Sequence, residues 1–234
     1  MEQGWKQEFL EGKVLSIDKP LQWTSFDVVN KLRMLTGGSK VGHAGTLDPL
    51  ATGLLIICTG KFTKKISEYQ AREKEYTGHF TLGSTTPTYD LESKPEPGGD
   101  WTSIDPATMQ EATKAFIGTI DQLPPAHSAV RVNGKKMYEL ARKGKEVRRE
   151  PRKVTINFFE IDTTDLPRVH FRVVCSTGTY IRSLADDFGR ALGCGAHLSA
   201  LRRTRIGEFH VDDAMTIEGF EAHMKALKAA DQKG

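Results

Sequence analysis

The 234-residue sequence predicts an α+β fold with a mixed, mostly antiparallel central sheet flanked by helices. Three observations carry this. Strand-like and helix-like segments do not alternate regularly, which argues against a doubly wound parallel sheet. Apolar segments at 154–161 and 169–175 flank a turn at 165–168, the pattern of an antiparallel pair. Residues 25–35 and 179–192 instead repeat their apolar side chains at helical spacing.

In chain order, residues 13–18 read as a strand that Lys19-Pro20 ends. Ser25 is expected to cap a helix reaching about residue 35, with Phe26, Val29, Leu32 and Leu35 on one face. Gly37-Gly38 closes it. Residues 53–58, an apolar run behind a glycine, read as a buried strand, and 61–69 as a short helix. A strand at 75–82 precedes a Pro/Gly/Ser/Thr-rich loop over 84–103. Asp105-Pro106 opens a helix to about 116, proline suiting a first helical turn. Pro124-Pro125 marks a break. The pair of strands at 154–161 and 169–175 follows, then a helix at 179–192 with Ile181, Leu184, Ala185 and Phe188 on one face. A strand near 198–205 and a helix over about 217–230 complete the chain. One domain with a basic insertion is the simplest description.

Composition narrows the class. Hydrophobic residues make up 38% and charged residues 27%, an ordinary globular balance. No apolar run approaches the ~18 residues of a membrane span, and the N-terminus lacks a signal-peptide pattern, so a cytoplasmic protein is expected. Cys58, Cys175 and Cys194 are far apart and read as reduced, buried thiols. The seven histidines show no metal-ligand spacing, so no metal is expected. The charge is unevenly placed. Residues 131–153 hold ten Lys/Arg and three Glu, a local +7, which leaves −4 for the rest of a chain that nets +3. Concentrated positive charge is the footprint of a polyanion, though a solvated helix face has the same composition.

The segment GHAGTLDPLATG, Gly42 to Gly53, carries the strongest chemical signal. Glycines flank a carboxylate, Asp48, and Pro49 restricts the conformation available to it. A carboxylate fixed in a stiff loop with small neighbours suits a nucleophile or general base. An Asp that merely caps a turn would look the same. No GxxxxGK[ST] or GxGxxG phosphate loop is present.

The whole string closely resembles the active-site motif of the TruB family of tRNA pseudouridine synthases. The resemblance continues through Ile17-Asp18-Lys19-Pro20 with Thr24-Ser25, through Lys74-Glu75-Tyr76, and through the stretch from Pro124 to Lys136. It resumes at the segment Ser176 to Leu184, at Leu192 to Leu198, and at Leu201-Arg202-Arg203. These motifs keep family order from about residue 12 to residue 217.

The resemblance implies a pseudouridine synthase fold and an enzyme that needs no cofactor. Such an enzyme breaks the C1′–N1 bond of uridine, turns the base and rejoins C1′ to C5. Asp48 matches the catalytic aspartate, acting either by attack on C1′ or through a glycal. A carboxylate there answers the positive charge that builds at C1′. Arg182 matches the arginine that pairs with it, although an ordinary i,i+4 pair with Asp186 is also open. Tyr76 matches the tyrosine that stacks on the base; Tyr180 and Leu201 match further pocket residues. His43 matches a histidine that contacts the RNA loop. Lys19 and Lys64 resemble basic residues near the site, with phosphate-binding or structural roles. The stretch 123–152 matches a thumb-like insertion that folds over RNA.

The implied target is uridine 55 in the T loop of tRNA, which must be extruded before reaction. Many family members add a PUA-type RNA-binding domain; this chain stops at Gly234, and a naturally short form acting as a monomer on the T arm is expected. Two other readings remain at this level. One is a non-catalytic RNA-binding or tRNA-folding protein on the same scaffold. The other is a glycoside hydrolase, for which Asp90 is the best second carboxylate.

Overall fold

The computed structural model describes residues 4–126, 131–132, 135–136 and 149–231. The thumb-like insertion expected at 123–152 therefore lies mostly outside the described residues. In chain order the elements are α1 (Gly4–Glu11), β1 (Val14–Lys19), α2 (Ser25–Leu35), β2 (Val41–Ala44) and β3 (Ala51–Thr59). A 3-10 turn (Gly60–Lys65) leads into α3 (Ile66–Gln70), followed by β4 (Lys74–Leu82), β5 (Ser84–Thr85) and β6 (Glu96–Pro97). Then come α4 (Pro106–Thr113), β7 (Gly118–Gln122), β8 (Arg131–Val132), β9 (Lys135–Lys136), β10 (Arg152–Asp165) and β11 (Arg168–Cys175). The chain ends with α5 (Ile181–Ala191), β12 (Ala196–Ile206), β13 (Phe209–His210) and α6 (Ile217–Asp231). The class is α+β, as the pattern predicted. Among the described residues no helix is long and apolar enough to cross a membrane.

The chain forms two compact units, one of residues 1–75 with 202–234, the other of residues 76–201. In the first, β1 pairs antiparallel with β3 from Val14–Cys58 to Lys19–Gly53, and β2 pairs with β3 at Ile56–Thr59. The apolar run of β3 is explained by burial on both faces. Leu55 and Ile57 join Trp5, Phe9, Val29, Leu32 and Phe220, while Leu54, Ile56 and Cys58 join Ile206 and Val211. Alternate side chains of a strand point to opposite faces, so a strand covered on both sides reads as continuous hydrophobicity.

Three local expectations need correction. Thr24, not Ser25, caps α2. Its hydroxyl accepts from the Asp27 N–H while the Asp27 carboxylate accepts from the Thr24 N–H, a closed capping box. Phe26 is exposed, and the buried face of α2 is Val28, Val29 and Leu32. The 61–69 segment is the 3-10 turn plus the short α3 rather than one helix. Helix α1 and strand β2 are additions to the predicted elements.

In the second unit, strands are ordered β12-β4-β11-β10-β7. The β10/β11 pair is antiparallel, and β7 lies antiparallel on residues 152–156 of β10. Phe80, Phe159, Phe171 and Phe188 form its aromatic core, Phe80 stacking on Phe171 with centroids 4.3 Å apart. Phe188 comes from α5, whose Ile181, Leu184 and Ala185 are also buried, as the helical periodicity predicted.

Candidate active site

Asp48 lies in the loop between β2 and β3, and its neighbours are held by backbone contacts on both sides. The Ser25 hydroxyl donates to the Leu47 carbonyl (3.2 Å) and accepts from the Leu47 N–H (2.9 Å). Gln22 N–H donates to the Pro49 carbonyl at 2.8 Å, and Ala51 N–H to the Asp48 carbonyl at 3.0 Å. The small side chain of Ser25 thus grips the residue before Asp48, while the 20–23 turn grips the residue after it. A carboxylate on such a loop is pre-oriented, which is what stabilising a developing charge requires.

Lys19 is 0% exposed. Its ammonium donates to the carbonyls of Pro20 (3.0 Å) and Trp23 (2.6 Å), which closes the turn that carries Gln22. Burial pulls its pKa down to about 8, while the field of Asp48 pushes the other way. Of the two roles the sequence suggested for Lys19, holding this turn is the one its position serves. Lys64 is exposed on the 3-10 turn. His43, on β2, is half-buried, and its Nδ1 has no hydrogen-bond partner among the described residues. Burial and the Arg203 guanidinium hold its imidazole below the usual value, favouring the neutral ring.

Arg203 is 1% exposed and ties together the two ends of this region. Its Nε donates to the Leu54 carbonyl (2.8 Å) and its Nη2 to the Gly45 carbonyl (3.0 Å). Gly53 permits the close approach. It has φ +103°, and a Cβ there would stand 2.3 Å from the Arg203 carbonyl oxygen. Its neighbour Arg202 turns instead to Asp18, with contacts of 3.1 and 2.7 Å.

The buried lysine has a measurable consequence. An unfolded Lys titrates near ~10.4, above the folded value of about 8. Between these values the unfolded chain binds more protons, so stability rises with pH, and it falls as pH drops through 8. Cys58 acts oppositely: burial raises its thiol from 9.0 to about 11, so its contribution is lost as pH climbs from 9 toward 11. Denaturation free energy should therefore rise by about 1 kcal/mol from pH 8 to 9 and then flatten. Lys19→Met should lack the rise and Cys58→Ala the flattening; equal slopes in all three proteins would contradict this origin.

In the second unit, Arg182 lies in the first turn of α5 and is 5% exposed. Its Nε lies 3.6 Å from the Asp90 carboxylate, and its Nη1 donates to the Thr88 carbonyl at 3.2 Å. Asp90 is 4% exposed. A buried cation beside a buried carboxylate is held in one orientation, because neither group has water as an alternative. Asp186, the helical partner considered from the sequence, pairs with Arg190 instead. Tyr180 stands just before α5. Both its peptide groups are clamped by the buried Gln122 amide, which donates to the Tyr180 carbonyl (3.1 Å) and accepts from its N–H (2.8 Å). Tyr76 is buried on β4, and Leu201 is half-buried on the adjacent strand β12.

The eight candidate residues divide evenly: Lys19, His43, Asp48 and Lys64 in the first unit, Tyr76, Tyr180, Arg182 and Leu201 in the second. Within the first, Lys19 and Asp48 share one electrostatic neighbourhood, and Lys64 stands on the exposed turn. Sequence reasoning missed Arg203 and Gln122 as supporting groups, and considered Asp90 only as a second carboxylate rather than as a partner of Arg182. Contacts between residues more than 50 positions apart leave no spacing signal. The capping box Thr24-x-x-Asp27 was the one available cue to the turn beside Asp48. Among the described residues no three His, Cys, Asp or Glu side chains converge in a way that could hold a metal ion.

The chain is similar to known proteins along nearly its whole length. The model of the N-terminal domain of TruB family pseudouridylate synthases matches residues 33–181, and that of the tRNA pseudouridylate synthase B C-terminal domain matches 182–233. A protein of Flavobacterium johnsoniae named tRNA pseudouridine synthase B is 54% identical over 226 residues, covering 94% of this chain and 99% of that protein. Its namesake from Parabacteroides distasonis is 50% identical over 234 residues, covering 97% and 100% respectively. Among solved structures, a chain of a Cbf5-Nop10-Gar1 complex superposes with a TM-score of 0.74 at 29% identity. The alignment covers 96% of this chain and 58% of that one.

Proposed function

Because the chain belongs to the TruB family of pseudouridylate synthases, we propose that it isomerises uridine 55 in the T loop of tRNA to pseudouridine. The observation that carries this reading is kinship along nearly the whole chain to proteins named tRNA pseudouridine synthase B, with the Asp48 loop inside the stretch that the family model matches. The enzyme acts in the cytoplasm, as a monomer on the T arm, without a cofactor.

Asp48 meets the sugar C1′ as the C1′–N1 bond breaks. It either forms an ester there or assists loss of the C2′ proton to a glycal. The family resemblance gives Arg182 the role of keeping the carboxylate ionised and aimed, since a cation favours the charged form of an acid it pairs with. Tyr76 offers its ring to the freed uracil, which turns in plane on an aromatic face without losing stacking. Tyr180 and Leu201 wall the base pocket. His43, as a neutral imidazole, hydrogen-bonds the rearranged loop, and Lys64 and the basic stretch 123–152 contact phosphates. Rejoining at C5 expels the C5 hydrogen to water, and N1 acquires a proton.

That balance gives the test. T-arm RNA carrying tritium at C5 of its uridines should release about one equivalent of tritium from the T-loop target. Mapping should place pseudouridine at that single position. RNA that binds without losing tritium would indicate a non-catalytic protein and overturn the reading.

A further inference from the structure

Tyr89 has a backbone that its residue type resists. Its φ is +64°, in the left-handed region, where a β-carbon crowds the following carbonyl. Apart from Gln22 it is the only non-glycine residue with positive φ among the described residues. Such a conformation persists only when its surroundings enforce it, and it concentrates where geometry matters. The surroundings here are explicit. The Tyr89 carbonyl accepts from Leu198 N–H at 2.9 Å, and Asp90 forms a parallel bridge with Leu198. Tyr89 N–H donates to the Thr86 carbonyl at 3.1 Å. The residues on either side both serve Arg182: Thr88 through its carbonyl, Asp90 through its carboxylate. With Tyr89 in the left-handed region, the residues on both sides of it contact the same guanidinium.

The phenol makes a second connection. Its oxygen accepts from Arg149 Nη1 at 3.3 Å, and the same guanidinium nitrogen donates to the Pro124 carbonyl at 3.4 Å. Pro124 and Arg149 stand near the two ends of the stretch 123–152. One side chain therefore bridges the Thr88–Asp90 turn and both roots of the segment proposed to hold RNA.

We propose that Tyr89 is a positioning residue: its strained turn aims Thr88 and Asp90 at Arg182, and its hydroxyl couples that turn to the roots of the basic segment through Arg149. This rests on the pseudouridine synthase reading and extends it. RNA held by the segment and the orientation of Arg182 are then linked through a single hydrogen bond, which a segment acting only as a phosphate clamp would not need.

Tyr89→Phe and Arg149→Met remove the two sides of that bond while keeping the ring and the aliphatic stem. Each should lower kcat for tritium release by about fivefold, with no more than the small loss of thermal stability that one hydrogen bond carries. KM for T-arm RNA should stay within about twofold in Tyr89→Phe. The double variant should be no slower than the slower single, since both break one link. Tyr89→Gly, which relieves the strain, should match or exceed the parent in stability yet lose kcat. Multiplying effects in the double variant, or losses confined to KM, would overturn the coupling. So would full activity in all variants of a chain whose parent is active. A parent protein that binds the RNA but never releases tritium would instead overturn the underlying reading, and this proposal with it.

Discussion

Asp48→Asn is expected to lower the rate of pseudouridine formation by at least about 10³-fold while T-arm RNA still binds within a few-fold of the parent. The loop explains why the two quantities should separate. Its path is set by the Ser25 hydroxyl on Leu47, by Gln22 N–H on the Pro49 carbonyl, and by Ala51 N–H on the Asp48 carbonyl. These contacts use backbone or neighbouring groups, so an isosteric amide leaves the loop in place. What it removes is a negative charge. An amide neither traps C1′ nor offsets the charge that builds there. A second readout tells charge from shape. Asp48 raises the pKa of buried Lys19, so without it Lys19 should titrate still further below its ordinary value. The pH interval over which stability rises should then begin below 8 in Asp48→Asn. Product formation at the parent rate would refute the role of Asp48. Loss of activity together with loss of the cooperative unfolding transition would point to a structural one.

The parts of this molecule that could be read from the sequence are those in which one element repeats its own pattern. β3 announced itself because it is buried on both faces, and α5 because Ile181, Leu184, Ala185 and Phe188 share one. β2 did not: Val41-Gly42-His43-Ala44 has little strand propensity, and it extends because β3 offers it a pairing edge. α1 was hidden by its length, with only Trp5 and Phe9 to mark a buried face. The same divide runs through the candidate site. Asp48, Tyr76 and Arg182 sit in motifs that can be matched as strings. The groups that hold the site in shape lie far from those they support. Asp90 reaches Arg182 across 92 positions, Gln122 reaches Tyr180 across 58, and Arg203 reaches Gly45 across 158. Lys19 and Arg203 also break the expectation that long cations face water. Each is buried because backbone carbonyls, rather than carboxylates, receive its hydrogens.

Arg203→Met is expected to cost about 3–5 kcal/mol of stability, against less than about 1 kcal/mol for Arg202→Met next to it. The two arginines carry the same charge and differ in what surrounds it. Arg202 is 41% exposed in its side chain and pairs with Asp18 at a site where water screens the pair and can replace it. Arg203 is enclosed, and the carbonyls of Gly45 and Leu54 depend on its donors. Methionine fills much of the volume and supplies neither hydrogen bond, and water cannot reach the groups left behind. Gly53 already lets the Arg203 backbone approach to a distance that would exclude a Cβ, so little slack remains for the strand to shift and compensate. Gly45 opens the loop that carries Asp48, so activity should fall with stability in Arg203→Met and remain near parental in Arg202→Met. His43 gives an independent check. The Arg203 guanidinium helps hold its imidazole below the usual pKa, so the Met variant should raise the midpoint of the His43 NMR titration. Equal destabilisation by the two substitutions would mean that the enclosure of Arg203 contributes nothing beyond its charge. An unmoved His43 would mean that its depressed pKa comes from burial alone.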